Sequence, residues 1–252
     1  MSTELVLTEQ VGRVMIITIN RPAKRNAIDR ATADALDDAF NTLEDDQGFW
    51  AGILAGGPVA FCAGSDLSAE GDYYTERGGE YGIIRRKRTK PLIAAVEGLA
   101  LGGGMEIAMA CDLIIAGEKA VFGLPEVKRG LVPACAGLFR GPRALPLNIA
   151  SELIIVGDSI SAARAAHFGF VNQVVREGDA LSVAADLAER ICLNGPVAVS
   201  LSLQAIHSYV AADDPSAWEI TKHARDAVYA SEDRVEGVSA FFDKRLPTWR
   251  NC

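Results

Sequence analysis

The chain has 252 residues, 49% hydrophobic and 23% charged, which is enough apolar content to bury a sizeable core in one large domain or in one domain with an appendage. A formal net charge of -8 argues against broad nucleic-acid binding, which needs a basic surface to displace counterions. Five cysteines (Cys62, Cys111, Cys135, Cys192, Cys252) show no CxxC spacing and only three histidines occur, so neither a disulfide framework nor a metal site is expected, and a reducing cytoplasm is the expected compartment.

The start, Met1 to Leu7, has neither a basic nor an apolar leader segment, and no apolar run reaches about 18 residues, so neither secretion nor a membrane span is expected. Val14 to Asn20 reads as an apolar, β-rich strand. Ala31 to Leu43 has helical spacing at Ala35, Leu36, Ala39, Phe40 and Leu43. Buried strands recur at Gly52 to Ala55, Leu92 to Val96 and Leu113 to Ala116, and helices between them predict βαβ units and a largely parallel sheet system. Gly71 to Glu80 is polar and glycine-bearing and predicts a mobile loop, while the basic run Arg85 to Lys90 predicts a solvated helix end. A helix is expected from Met105 to Cys111. Beyond Asn194-Gly195-Pro196, helices are expected over Val197 to Val210, Ser216 to Ala230 and Asp233 to Arg245, dividing the chain into a core, 1–195, and a helical region, 196–252.

Two stretches carry chemistry. In Ala100-Leu101-Gly102-Gly103-Gly104-Met105-Glu106, three glycines remove every side chain where the chain enters a helix, so a ligand oxygen can approach bare amides. Glu106 then falls in the first helical turn, where the helix dipole contributes roughly 0.3 to 1 kcal/mol in favour of the ionised form. Twenty residues on, Glu126 follows Pro125 and offers a second carboxylate. The second stretch, Ala60-Phe61-Cys62-Ala63-Gly64-Ser65-Asp66-Leu67, again exposes main-chain amides beside small residues. Two amides from separate loops suit a thioester oxygen that gains negative charge on enolisation, and Ala63 and Gly103 are the candidate donors. The bland alternatives are a glycine turn before a helix and, for Glu126, a solvated turn residue.

These stretches, with Asn20 to Ala27, Phe61 to Asp66, Lys90 to Gly98, Phe122 to Glu126, Gly157 to Ala163 and Gly169 to Val175, resemble the crotonase superfamily of enoyl-CoA hydratases and isomerases over nearly the whole chain. The resemblance implies an α/β fold, a spiral of ββα units with a C-terminal helical region. It also implies an acyl-CoA substrate whose thioester oxygen is held by the amides of Ala63 and Gly103, with Glu106 helping to activate water at C3 and Glu126 delivering a proton to C2. By the same resemblance CoA, part of the substrate with no separate cofactor, meets Lys24, Arg25, Ala63, Ser65, Asp66 and Leu67, while Phe241 and Lys244 reach CoA on a neighbouring subunit of a homotrimer or homohexamer. Tyr73 and Tyr74 could line the acyl pocket, and the Arg85 to Lys90 run could attract CoA phosphates.

Presence of both glutamates favours reversible syn hydration of a 2-enoyl-CoA. The alternatives are an enoyl-CoA isomerase, a crotonobetainyl-CoA hydratase-like enzyme, or a non-catalytic acyl-CoA-binding or RNA-binding protein of the same fold. One departure stands out: where many hydratases have a Gly-x-Gly-Gly run, this chain has Ala134-Cys135-Ala136-Gly137, and each added methyl narrows the pocket or restricts the backbone. Cys135 itself is expected to be a small buried residue rather than a nucleophile.

Overall fold

The computed structural model describes residues 4–69 and 71–250, which leaves Cys252 outside the described residues. In chain order the elements are β1 (Val6–Val11), β2 (Val14–Ile19), α1 (Arg30–Asp45), β3 (Ala51–Ala55), β4 (Ala60–Cys62), β5 (Tyr74–Thr75), β6 (Gly79–Glu80), β7 (Leu92–Val96), β8 (Leu99–Leu101) and α2 (Gly103–Met109). They continue as β9 (Leu113–Gly117), β10 (Val121–Gly123), α3 (Gly137–Ala144), α4 (Leu147–Val156), β11 (Ile160–Ser161), α5 (Ala162–His167), β12 (Gln173–Val175), α6 (Ala180–Cys192), α7 (Pro196–Val210), α8 (Asp214–Tyr229) and α9 (Glu232–Phe242).

A six-stranded sheet runs β1-β2-β3-β7-β9-β12, antiparallel only at β1–β2, and a four-stranded sheet runs β11-β10-β8-β4. The pairs β3/β4, β7/β8 and β9/β10 each give their first strand to the large sheet and their second to the small one. The chain therefore winds as a spiral of ββ turns with helices between, a mixed α/β architecture whose sequence carries no visible repeat.

Burial on both faces explains why the strands read as continuous apolar runs instead of alternating ones. In β2, Met15, Ile17 and Ile19 join Leu36, Phe40 and Leu43 of α1 in one core. Val14 and Ile16, on the opposite face, pack with Ala180, Ala184 and Ala188 of α6 in a second core. Alanines on α6 let that helix lie close to the sheet. At the start of α1, the Asp29 carboxylate accepts the Thr32 N–H at 2.9 Å, capping a helix that begins at Arg30, one residue before the predicted span.

Two expectations are corrected here. Gly71 to Glu80 holds the small antiparallel ladder β5–β6, with Thr75 buried and its hydroxyl donating to Asp37 Oδ1 at 2.7 Å. The basic run is not a solvated helix end. The Arg86 guanidinium is buried against Asp37 at 2.5 Å, and Arg88 is buried against Asp112 at 2.6 Å. Those two cations face inward, so they are spent on the fold and not on phosphates. Asp112 also accepts the Leu92 N–H at 2.7 Å and lies 2.7 Å from His207 Nε2, which ties α7 to the core.

Farther along, α8 meets α3 through an edge-to-face contact of Trp218 with Phe139 at 5.0 Å. A guanidinium from Arg85 lies 3.6 Å over the Trp218 ring while pairing with Glu80 at 2.9 Å. Among the described residues, no helix is long and apolar enough to cross a membrane.

Candidate active site

The glycine run seats α2 against neighbours that leave no room for side chains. A Cβ at Gly103 would lie 2.6 Å from Tyr81 Cζ, and one at Gly104 would lie 2.7 Å from the Cys62 carbonyl carbon. Gly102 takes φ 56 and donates its N–H to the Gly123 carbonyl at 2.8 Å, so the turn is pinned to β10. As a result α2 begins at Gly103, two residues before the predicted Met105.

Glu106 projects from α2 into the interior and is 2% exposed. Its Oε1 accepts the Gly137 N–H at 2.8 Å. Burial raises its pKa, the nearby Glu126 charge raises it further, and the main-chain donors at Gly137 and Cys135 oppose the rise only in part. The expectation that a helix start would favour the ionised form is thus overturned, because desolvation outweighs a dipole contribution of about 1 kcal/mol or less. Ala136, which aims the Gly137 amide at Glu106, is fully buried and sits at φ 82, a conformation that favours glycine. The alanine-for-glycine departure therefore restricts the backbone at the point that holds an acid.

Glu126 lies in the short 3-10 helix Pro125–Arg129. Its Oε1 is 3.1 Å from where a Gly102 Cβ would be, so the carboxyl abuts the glycine turn. Its Oε2 is buried and has no hydrogen-bond partner among the described residues. Burial raises its pKa, with its own amide and the Arg129 charge opposing. A solvated turn residue would show none of this. A buried carboxyl oxygen without a partner instead marks where a ligand or water group would be accepted.

The amides divide differently from the sequence reading. Ala63 N–H donates to the Arg25 carbonyl at 3.1 Å, so it is already engaged and is not open to a thioester oxygen. That candidate is corrected. The bonds around the next turn are Ile28 N–H to the Gly64 carbonyl and Asp66 N–H to the Ile28 carbonyl, both 2.8 Å, which skip the Ser65 amide. Neither the Ser65 nor the Gly103 amide donates to a protein acceptor among the described residues. The two segments touch: a Cβ at Gly64 would lie 2.9 Å from Gly103 N. Sequence reasoning had assigned Ser65 only to CoA. Its place one residue past the glycine in Ala63-Gly64-Ser65 was the available signal.

Tyr81 was missed altogether. It is buried, its hydroxyl lies 2.7 Å from Ser65 Oγ, and its ring stacks on Tyr73 at 4.6 Å. Cys135 is buried nearby, and burial pushes its thiol well above the ordinary range, in line with packing rather than nucleophilic use.

Of the residues assigned to CoA, Lys24, Arg25, Ser65, Asp66 and Leu67 form one neighbourhood. Lys24 Nζ is 3.2 Å from Ser68 Oγ and 4.0 Å from Asp66, whose carboxylate accepts from Arg21 at 2.8 Å. Burial works to raise the Asp66 pKa, yet hydrogen bonds from Ser68 and Arg21 bring it down to about 2, so this carboxylate stays ionised. Lys24 and Arg25 are exposed. Phe241 and Lys244 sit apart, at the end of α9. The Arg129 guanidinium lies 4.4 Å over the Phe241 ring, beside a cavity of about 370 Å³ that Pro125, Arg129 and Arg245 also line. No hydrogen bond or ring contact joins them to the Lys24 group among the described residues. A larger cavity of about 510 Å³, lined by Trp50, Lys90, Val197 and Leu201 among others, contains none of the candidate site residues. Among the described residues no cluster of three or more His, Cys, Asp or Glu could hold a metal ion.

Two acids with buried carboxyl oxygens and two open amides come together from separate turns, an arrangement that can pass a proton beside a polarised carbonyl. The family model described as enoyl-CoA hydratase/isomerase matches residues 9–251, and the chain belongs to that family. It is 38% identical to a short-chain-enoyl-CoA hydratase of Clostridium acetobutylicum, over 95% of each chain. Among solved structures, it matches a carnitinyl-CoA hydratase from Mycobacterium avium with TM-score 0.95 and 40% identity over 100% of both chains. It also matches an enoyl-CoA hydratase from Mycobacterium tuberculosis with TM-score 0.80 and 43% identity, over 98% of this chain and 99% of that one.

Proposed function

We propose that the protein is an enoyl-CoA hydratase, a hydro-lyase that reversibly adds water across the C2–C3 double bond of a 2-enoyl-CoA. The single observation that carries this reading is the pairing of buried Glu106 with half-buried Glu126, whose carboxyl Oε2 is buried, around the glycine turn, each with a raised pKa. Close carboxyls in a desolvated site cannot both ionise easily, so near neutral pH the pair holds one proton, as a hydratase needs. The ionised acid takes a proton from water as its oxygen attacks C3. The protonated acid supplies C2, and the thioester oxygen carries the charge of the enolate in between. Glu106 is assigned to the water and Glu126 to C2, so hydration runs from the state of the pair in which the one shared proton sits on Glu126 and Glu106 is ionised.

The amides of Ser65 and Gly103 are assigned as the oxyanion hole, each worth roughly a hundred- to a thousandfold in turnover. Exposed Lys24 and Arg25 beside this turn support an approach of CoA phosphates from that side, and Leu67 and the Asp66 turn would line the path. Phe241 and Lys244 would reach CoA only across a subunit boundary, consistent with a homotrimer or homohexamer of cytoplasmic location. The substrate itself carries CoA, so no further cofactor enters.

A second reading keeps the same chemistry but a carnitine-derived acyl group. The TM-score of 0.95 to the carnitinyl-CoA hydratase of Mycobacterium avium favours it over a change of reaction. Incubation with trans-2-butenoyl-CoA, cis-3-hexenoyl-CoA and crotonobetainyl-CoA tests these readings together. Formation of 3-hydroxyacyl-CoA supports hydration, and turnover of crotonobetainyl-CoA alone selects the second reading. Migration of the double bond without a 3-hydroxyacyl product would overturn both.

A further inference from the structure

We propose that Tyr81 is a positioning residue for the oxyanion hole, its hydroxyl fixing the spacing between the Ser65 and Gly103 amides. This rests on the assignment of those amides to the thioester oxygen. The two peptides come from distant parts of the chain, one following β4 and the other opening α2. Tyr81 touches both. Its hydroxyl is 2.7 Å from Ser65 Oγ, and a Cβ on Gly103 would lie 2.6 Å and 2.8 Å from its Cζ and Cε2.

The residue is also held in an unusual way. Tyr81 has φ 57, a left-handed backbone that a bulky side chain rarely takes, and it is flanked by Gly79 and Gly82 at φ 70 and 75. Its amide donates to the Tyr73 carbonyl at 2.9 Å, and the Tyr73 ring lies on its own at 4.6 Å with 22° between planes. Strained backbone of this kind persists only when the surroundings over-determine it, and it gathers where geometry matters to function. Here the stacked, buried ring is a strut: it cannot swing, and its tip meets the Ser65 side chain by hydrogen bond and the Gly103 residue by close approach. The Ser65 hydroxyl is then needed for its bond to Tyr81, while its amide serves the substrate. That gives a reason for serine at this turn.

A positioning role predicts losses in the transition state more than in ground-state binding, because charge on the thioester oxygen develops only on enolisation. Tyr81→Phe keeps the ring and stack, Ser65→Ala keeps the amide, and the double variant removes both ends of one bond. Each single variant is expected to lower kcat for trans-2-butenoyl-CoA by about 10- to 100-fold with KM within about threefold, and the double variant is expected to match either single within about twofold. A second readout is the near-ultraviolet enolate band of bound 3-oxobutanoyl-CoA, expected to weaken in all three while the affinity for CoA alone is unchanged.

Independent losses that multiply in the double variant would overturn the proposal, as would Tyr81→Phe losing turnover while Ser65→Ala keeps it, the pattern of a hydroxyl acting directly on substrate. Wild-type values in Tyr81→Phe overturn it equally. If Tyr81→Phe does not fold, Ser65→Ala alone decides by its kcat and enolate band. Should the wild type enolise the probe yet hydrate no enoyl-CoA, the hydratase reading fails while the enolate comparison still judges Tyr81.

Discussion

Replacing Glu106 with Gln should make the protein more stable in alkaline solution while removing its activity. The carboxyl is 2% exposed, and burial with the neighbouring Glu126 charge raises its pKa above that of an unfolded chain. A group raised in this way contributes stability below its ordinary range and loses it as pH rises through the folded value, because the unfolded state then releases the proton more readily. Gln is neutral at every pH, so the advantage of the variant should open as pH increases. Burying an ionised carboxylate costs several kcal/mol, and the 2.8 Å Gly137 N–H bond offsets about 1.5–3 kcal/mol of that, leaving about 2 kcal/mol. At about 2–4 °C per kcal/mol for a chain of this size, Glu106→Gln should melt about 4–8 °C above wild type at pH 8.5 and much closer to it at pH 5.5. Thermal unfolding followed by circular dichroism at both pH values, beside hydration rates expected to fall at least about a hundredfold, measures both effects. A melting difference that does not change with pH, or a variant less stable at pH 8.5, would refute the argument that Glu106 is a strained, desolvated acid.

Other consequences follow from single contacts. Gly103→Ala would drive a methyl into the Tyr81 ring, and turnover should fall about a hundredfold or more while the protein still folds; near-normal turnover would show that the peptide can shift freely. Asp112→Ala leaves the buried Arg88 guanidinium without its partner and frees His207, which should cost about 3–5 kcal/mol and lower the melting temperature by about 10 °C, measured by calorimetry. Since both carboxyls are raised, kcat/KM should peak near neutrality, falling in acid as both hold protons and in base as both lose them; a rate that is flat from pH 5 to 9 would contradict the shared-proton pair.

Much of the fold was legible because the strands are buried on both faces. Val14 to Ile19 and Leu92 to Val96 announce themselves as unbroken apolar runs, and the α1 stripe through Leu36, Phe40 and Leu43 gives a clear helical period. The site was legible only where chemistry and spacing coincide, in Glu106, Glu126 and the glycine turn. Which amide is open at Ala63-Gly64-Ser65 depends on where the Arg25 carbonyl lies, thirty-eight residues away in sequence, and no local pattern encodes it. Arg86 and Arg88 misled for the same reason: a basic run reads as surface until Asp37 and Asp112 are seen to receive it. Tyr81 lay unmarked between two glycines, since a left-handed tyrosine is defined by tertiary packing and not by propensity.

The most direct measurement is a crystal structure of the Glu126→Gln variant with a slowly reacting 2-enoyl-CoA. The thioester oxygen should lie about 3 Å from the amide nitrogens of both Ser65 and Gly103, with Glu106 and residue 126 flanking C3 and C2. A thioester oxygen held elsewhere, or acyl carbons beyond reach of either acid, would contradict it.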